Sequence, residues 1–136
     1  MNDNALLLDT CALLWLASGS TRLSSDGRNA IASARTLLFS PISAWEVAQL
    51  VRHGELALPL PPLAWMEAMV ERYGLTLIPL SLDVLINSAE LPPHHKDPAD
   101  RIIIASAILR DVPVVTSDRR YFDYGVKTLC YCPGYR

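Results

Sequence analysis

The residues of this chain best placed for chemistry are acids standing where apolar strands end or helices begin. Asp9 follows directly on the apolar run Ala5–Leu8, and Asp118 closes Val114-Val115-Thr116-Ser117. Glu46 and Asp100 open two helices, after Ser40-Pro41 and Asp97-Pro98 respectively. Each acid has a plain structural explanation. Asp97 suits an N-cap, Pro98 the first helical position and Asp100 the third. Ser43-Ala44-Trp45-Glu46 matches a capping box, in which Glu46 would satisfy a backbone donor. Asp9 and Asp118 suit turns. These explanations cover the acids one at a time and leave a shared location unexplained. Two carboxylates about 4 Å apart repel by roughly 4 kcal/mol at an effective dielectric of about 20. A divalent cation reverses that sign, and an all-oxygen acidic set suits Mg²⁺ or Mn²⁺ better than Zn²⁺. Thr116, or Thr10, is a candidate to hold metal-bound water. Such a site can activate water and stabilise charge on a phosphoryl oxygen.

The acids meet only if the elements carrying them end on one side of a sheet. Ala5–Leu8 is continuously apolar, as expected of a central parallel strand buried on both faces. A helix through residues 13–16 follows, with Thr10 as its expected cap. A more amphipathic helix is expected from residues 23–26 to about 34, then a strand over Thr36–Phe39. The helix carrying Glu46 stops at Gly54. Residues 56–62 are too proline-rich for a central strand or a helix interior. The pattern continues with a helix over 63–73, a strand over 75–79 and a short helix over 81–89. Residues 91–95 form a loop feeding a helix from Asp97 to about Arg110 whose apolar residues cover most of its surface. Such a helix packs on more than one side. A buried strand over 114–116 and an edge strand over 126–130 complete the series. Strands alternating with helices imply an α/β fold, a mostly parallel sheet with helices on both faces. In such sheets the strands' C-terminal ends and the helices' N-termini share one edge, where ligands bind. Asp9, Glu46, Asp100 and Asp118 all fall there.

A chain of 136 residues, 51% hydrophobic, fits one compact domain spanning 1–136. The net charge of −2 excludes a generally basic nucleic-acid coat protein and leaves room for a local basic rim. The N-terminus lacks the basic region and cleavage site of a signal peptide, and the apolar run 12–17 is too short to span a bilayer. Cys11, Cys130 and Cys132 are an odd set, which suits a reducing cytoplasmic compartment. Cys130-x-Cys132 has no second pair to complete a metal site and reads as core or strand-end cysteines.

Four motifs in order, LLLDT, SAWE, HxDPADR and TSD, resemble the PIN-domain nucleases, and most closely the VapC-type toxins of bacterial toxin–antitoxin pairs. The resemblance runs from Asp9 to about Tyr124. It implies a three-layer α/β/α PIN-like fold and an acidic quartet at Asp9, Glu46, Asp100 and Asp118, with Thr116 supporting metal-bound water. It further implies RNA cleavage with Mg²⁺ or Mn²⁺, a homodimer, and inhibition by a cognate antitoxin that covers the site. Asp97 keeps a capping role. Gln49 departs from the pattern, since many relatives carry a basic residue one turn after the glutamate.

His94 and His95, adjacent in a polar loop, read as cap or surface residues in preference to general acids or RNA contacts. Arg119 and Arg120 are placed to meet phosphates. Arg101 is placed to pair with an acid or a carbonyl. Trp15, Trp45 and Trp65 sit in apolar helical contexts and read as core. The apolar segment 56–65 is a candidate interface. Two other functions compete. A haloacid-dehalogenase-like phosphatase wants a second acid two positions after the first, where this chain has Cys11, and a supporting lysine. A non-catalytic binding protein would use the acids only as caps.

Overall fold

Four consecutive apolar residues oblige the strand Ala5–Leu8 (β1) to lie centrally, since both its faces need covering. In the computed structural model, which describes residues 4–129, all four are buried. β1 pairs in parallel with Thr36–Phe39 (β2), Ala5 opposite Thr36, and on its other side with Val114–Val115 (β4), Leu7 opposite Val114. Leu75–Leu77 (β3) extends the sheet beyond β2, and Thr128–Leu129 (β5) beyond β4. The order β3-β2-β1-β4-β5 is parallel throughout. The winding direction reverses between β1 and β4, so a crevice opens outside the C-terminal ends of these two strands. Asp9 and Asp118 follow those ends.

The two-residue period of β1 divides the core. Leu6 and Leu8 point into a cluster with Leu13, Leu37, Phe39, Trp65 and Met69. That layer takes residues from helices Thr10–Ser18 (α1), Ser25–Ser33 (α2), Ile42–Arg52 (α3) and Pro62–Tyr73 (α4). Ala5 and Leu7 point the other way, against Ile103, Ile104 and Ala107 of helix Pro98–Arg110 (α6). Helix Leu82–Glu90 (α5) packs on α6. Fully burying a residue such as Leu7 contributes about 2 kcal/mol. The result is the expected α/β/α arrangement, with α6 packed on more than one side.

Several local expectations change. Thr10 is the first residue of α1, and the cap is Asp9, whose Oδ1 accepts the Ala12 N–H at 2.8 Å. The strand runs into the helix with no spare residue, so the strand-end acid also caps. The capping box fails by register: α3 starts at Ile42 behind Pro41, which places Ser43 inside the helix. Trp45 is 56% exposed, not core. Ser43 and Val47, four residues apart, share the buried face of α3, and Trp45 lies halfway round from both. Trp65 is buried and Trp15 packs partly against the same cluster. The last residue of the expected strand over 126–130, together with the Cys130-x-Cys132 pair, lies outside the described residues.

Arg101 pins the loop before α6. Its guanidinium donates to the carbonyls of Ser88, Ala89 and Leu91 at the end of α5, and to those of Pro92 and His95. It thereby replaces a helix C-cap and fixes the loop that follows. A lysine is a point charge and cannot span these acceptors. Arg101→Lys is expected to cost about 2–4 kcal/mol, read as a thermal midpoint lower by roughly 5–15 °C.

Candidate active site

Each acid reaches the crevice because a neighbouring element aims it. Asp9, only 5% exposed, holds the Ala12 N–H and is hydrogen-bonded by the hydroxyl of Thr116, which stands just after β4. Thr116 Oγ1 in turn accepts the Asp118 N–H at 3.0 Å, so one buried hydroxyl links the ends of β1 and β4. Glu46 projects from α3 and accepts a short hydrogen bond from the Thr10 hydroxyl on α1. Ser43 Oγ lies 2.9 Å from the same Thr10 oxygen. With one proton given to Glu46, Thr10 accepts from Ser43.

Asp100 occupies the first turn of α6, behind Asp97 and Pro98, where the sequence pattern places it. Its Oδ1 accepts the Tyr121 hydroxyl at 2.6 Å. Asp118 caps a short 3-10 helix, Arg119–Tyr124, by accepting the Arg120 N–H. The Arg120 guanidinium also grips both Asp118 oxygens, at 3.0 and 2.9 Å. His95 Nε2 stands between two acids, 2.8 Å from Asp118 Oδ2 and 3.3 Å from Asp100 Oδ2.

Asp9, Glu46, Asp97, Asp100 and Asp118 line one cleft of about 420 Å³, with Arg120 at its edge. The electrostatics of that cleft are strained. Burial pushes Asp9 up from 3.8 to about 7, against the hydrogen bonds from Thr116 and Ala12, and the charges of Asp100 and Glu46 push the same way. Burial also raises Glu46 and Asp100, opposed by the Thr10 and Tyr121 hydroxyls. Asp118 differs: burial raises it, but hydrogen bonds from Arg120 and His95 outweigh that and hold it below the usual carboxylate range. Acids held above their normal pKa by burial and by one another mark a place where positive charge is wanted. Carboxylate oxygens are the ligands that a hard divalent cation prefers. His95, Asp100 and Asp118 each offer a ligand atom, all within 4.8 Å of one another.

The four acids named from sequence therefore share one cleft; Thr116 does not line it and stands buried behind Asp9. Arg101 takes the carbonyl option. Arg120 meets Asp118, and His94 is at the surface, as expected. His95 is the correction: at 2% exposure it is buried in the acidic cluster, because the loop before α6 folds inward under Arg101. Tyr121, Ser43 and the bridging role of Thr10 also escaped the sequence pattern. Tyr121 stands three residues after Asp118, a helical-turn spacing that could have pointed to it.

The PIN-domain family model matches residues 6–127. Ribonuclease VapC22 of Mycobacterium tuberculosis is 33% identical over 116 residues, which is 85% of this chain and 88% of that protein. Among solved structures, VapBC2 from Rickettsia felis bound to a promoter DNA fragment superposes with a TM-score of 0.68 at 15% identity, covering 92% of this chain and 97% of that one. The DNA-bound VapBC of Salmonella typhimurium gives 0.67 at 22%, covering 94% and 98%. At those identities the structural likeness concerns the fold, whereas the family match runs from Leu6 in β1 past β4 and includes all four acids. This chain belongs to the PIN-domain family.

Proposed function

We propose that the protein is a divalent-metal-dependent endoribonuclease acting as the toxin of a toxin–antitoxin pair. The observation that carries this reading is the gathering of four carboxylates from four separate elements into one cleft, three of them with raised pKa. The similarity to a VapC ribonuclease supports RNA as substrate. Asp9, Asp100 and Asp118 would hold Mg²⁺ or Mn²⁺, with Glu46 and Thr116 acting through water. A bound ion supplies Lewis acidity at the scissile phosphate and a more acidic water. The chain's own part is geometric. Thr10 binds one oxygen of Glu46, leaving the other to orient an attacking water or take its proton. Arg120, 58% exposed and lining the cleft beside Asp118, is placed to meet a backbone phosphate.

Among the described residues no helix is long and apolar enough to cross a membrane. A cytoplasmic site of action suits that and the RNA substrate. The phosphatase alternative finds little support, since Cys11 occupies the position of its second acid and, among the described residues, no lysine lines the cleft. The deciding experiment offers a circular single-stranded RNA and a small phosphomonoester with Mg²⁺. Linearised RNA with no phosphate released is expected; phosphate released from the monoester with the circle intact would favour the phosphatase.

The antitoxin partner is proposed from the VapBC likeness and from a groove of about 460 Å³ walled by Leu14, Trp15, Leu58 and Trp65, with Leu60 and Leu63 exposed nearby. Leu60→Glu should leave the fold intact and weaken antitoxin binding about tenfold or more, measured by calorimetry. Unfolding would instead make Leu60 part of the core that already holds Trp65. A homodimer is proposed through α5, where Leu82 and Ile86 are 79% and 57% exposed. Ile86→Glu is expected to shift sedimentation towards monomer with an unchanged melt.

A further inference from the structure

His95 offers its Nε2 to the same acids that would hold the ion, and its ligating reach makes it an obvious metal ligand. The hydrogen bonds argue for a different task. The Asp97 N–H donates to His95 Nδ1 at 3.1 Å, so the ring proton sits on Nε2. A protonated Nε2 has no lone pair for a metal, and it points at Asp118 Oδ2 at 2.8 Å. The ring cannot easily turn away. The His95 N–H is held by the Tyr124 hydroxyl at 2.8 Å, its carbonyl by Arg101 at 3.0 Å, and the side chain is buried. Tyr121 does the matching job for Asp100. It is fully buried among Ile103, Ile104 and Val114, stands edge-on to the His95 ring, and delivers its hydroxyl to Oδ1 at 2.6 Å.

Resting on the metal-site reading above, we infer that His95 and Tyr121 are positioning residues: two neutral donors that fix the orientation of Asp118 and Asp100 without being ligands themselves. Neutrality is what the task requires. A lysine or arginine in the place of Tyr121 would orient Asp100 but also cancel charge meant for the cation; Asp118 already carries Arg120 on both oxygens, and a second cation in the place of His95 would cancel more. An N–H or O–H fixes the oxygen and leaves that charge in place. The Tyr121 hydroxyl is buried against Asp100 and donates to it directly. Outer partners of this kind tune metal affinity by about 10- to 100-fold.

The test is Mn²⁺ binding by calorimetry on wild type, Tyr121→Phe, His95→Gln and His95→Ala, with thermal melts of each in EDTA. Nitrogen modulation of the Mn²⁺ electron spin echo is recorded on the wild type. Tyr121→Phe keeps the buried ring and removes only the donor, so affinity should fall about tenfold with the melt almost unmoved. His95→Ala should lose about 10- to 100-fold, and His95→Gln, whose amide N–H reaches a similar point, should recover much of it. The wild-type echo should show no directly bound nitrogen. Bound nitrogen in that echo would make His95 a ligand and overturn the inference. Unchanged Mn²⁺ affinity in Tyr121→Phe and His95→Ala would overturn it as well, with the metal site left standing. If Tyr121→Phe fails to fold, the two His95 variants and the echo decide. Failure of the wild type to bind Mn²⁺ at all would remove the metal-site reading and this inference together.

Discussion

Asp100→Asn should lower RNA cleavage by roughly a thousandfold or more while moving the melting temperature by only a few degrees. Asparagine keeps the size of the side chain, and its amide oxygen can still accept the Tyr121 hydroxyl. The helix cap is untouched, because Asp97 and not Asp100 binds the Ala99 N–H. The substitution loses a favourable charge near the α6 N-terminus, worth about 0.3–1 kcal/mol. It also removes a partly buried charge repelled by Asp97 and Asp118, which acts in the opposite direction. A purely structural acid would give the reverse pattern, with some stability lost and activity kept. Parallel melts and cleavage time courses separate the two.

Asp9→Asn is expected to reverse sign with metal. In EDTA the variant should melt above the wild type at neutral pH. Folding raises the Asp9 pKa from 3.8 to about 7, chiefly by burial. Below pH 3.8 both states carry the proton and nothing is lost. Between 3.8 and about 7 the unfolded chain has released the proton and the folded chain keeps it, so stability falls as pH rises. Above about 7 the loss is complete, at most about 4 kcal/mol. Asparagine removes this cost and still caps α1, since Asn and Asp are comparable N-caps. With saturating Mg²⁺ the order should invert: the ion stabilises the wild type in proportion to occupancy, and the variant lacks a ligand. Melts from pH 4 to 8, with EDTA and with Mg²⁺, check both halves. A variant melting below the wild type in EDTA at pH 8 would contradict the burial argument.

What the sequence shows clearly follows from short-range physics. Ala5–Leu8 has no polar face, which marks a central strand; Asp97-Pro98 marks a helix start to the residue. Placing Asp9, Asp100 and Asp118 together needed only the rule that strand ends and helix starts share an edge in parallel sheets. Glu46 sits a turn inside α3, and the sequence pattern sets that helix start late, with Ser43 as the cap in place of Pro41. The supporting side chains were hidden for a different reason. His95 meets Asp118 across 23 residues and Tyr121 meets Asp100 across 21, contacts that depend on how the loop before α6 and the 3-10 turn settle. His95 has no periodicity to betray it, and Tyr121 only its three-residue spacing from Asp118. A polar loop with two histidines looks solvated until Arg101 is seen to draw it inward through its carbonyls. Trp45 misled through composition: its neighbours are apolar, but the face of α3 is set by Ser43 and Val47. The Ser43–Glu46 spacing imitated a capping box because Pro41, not Ser43, precedes the helix.

The most direct test of a metal-held nuclease site is a cleavage time course on one structured RNA with the wild type and with Asp100→Asn. Each protein is run in Mg²⁺, in EDTA, and in EDTA followed by excess Mn²⁺. The expected result is wild-type cleavage that stops in EDTA and returns with Mn²⁺, against a variant that stays inactive in every arm although it folds. Cleavage that survives both EDTA and Asp100→Asn would contradict the assignment of this cleft as the active site.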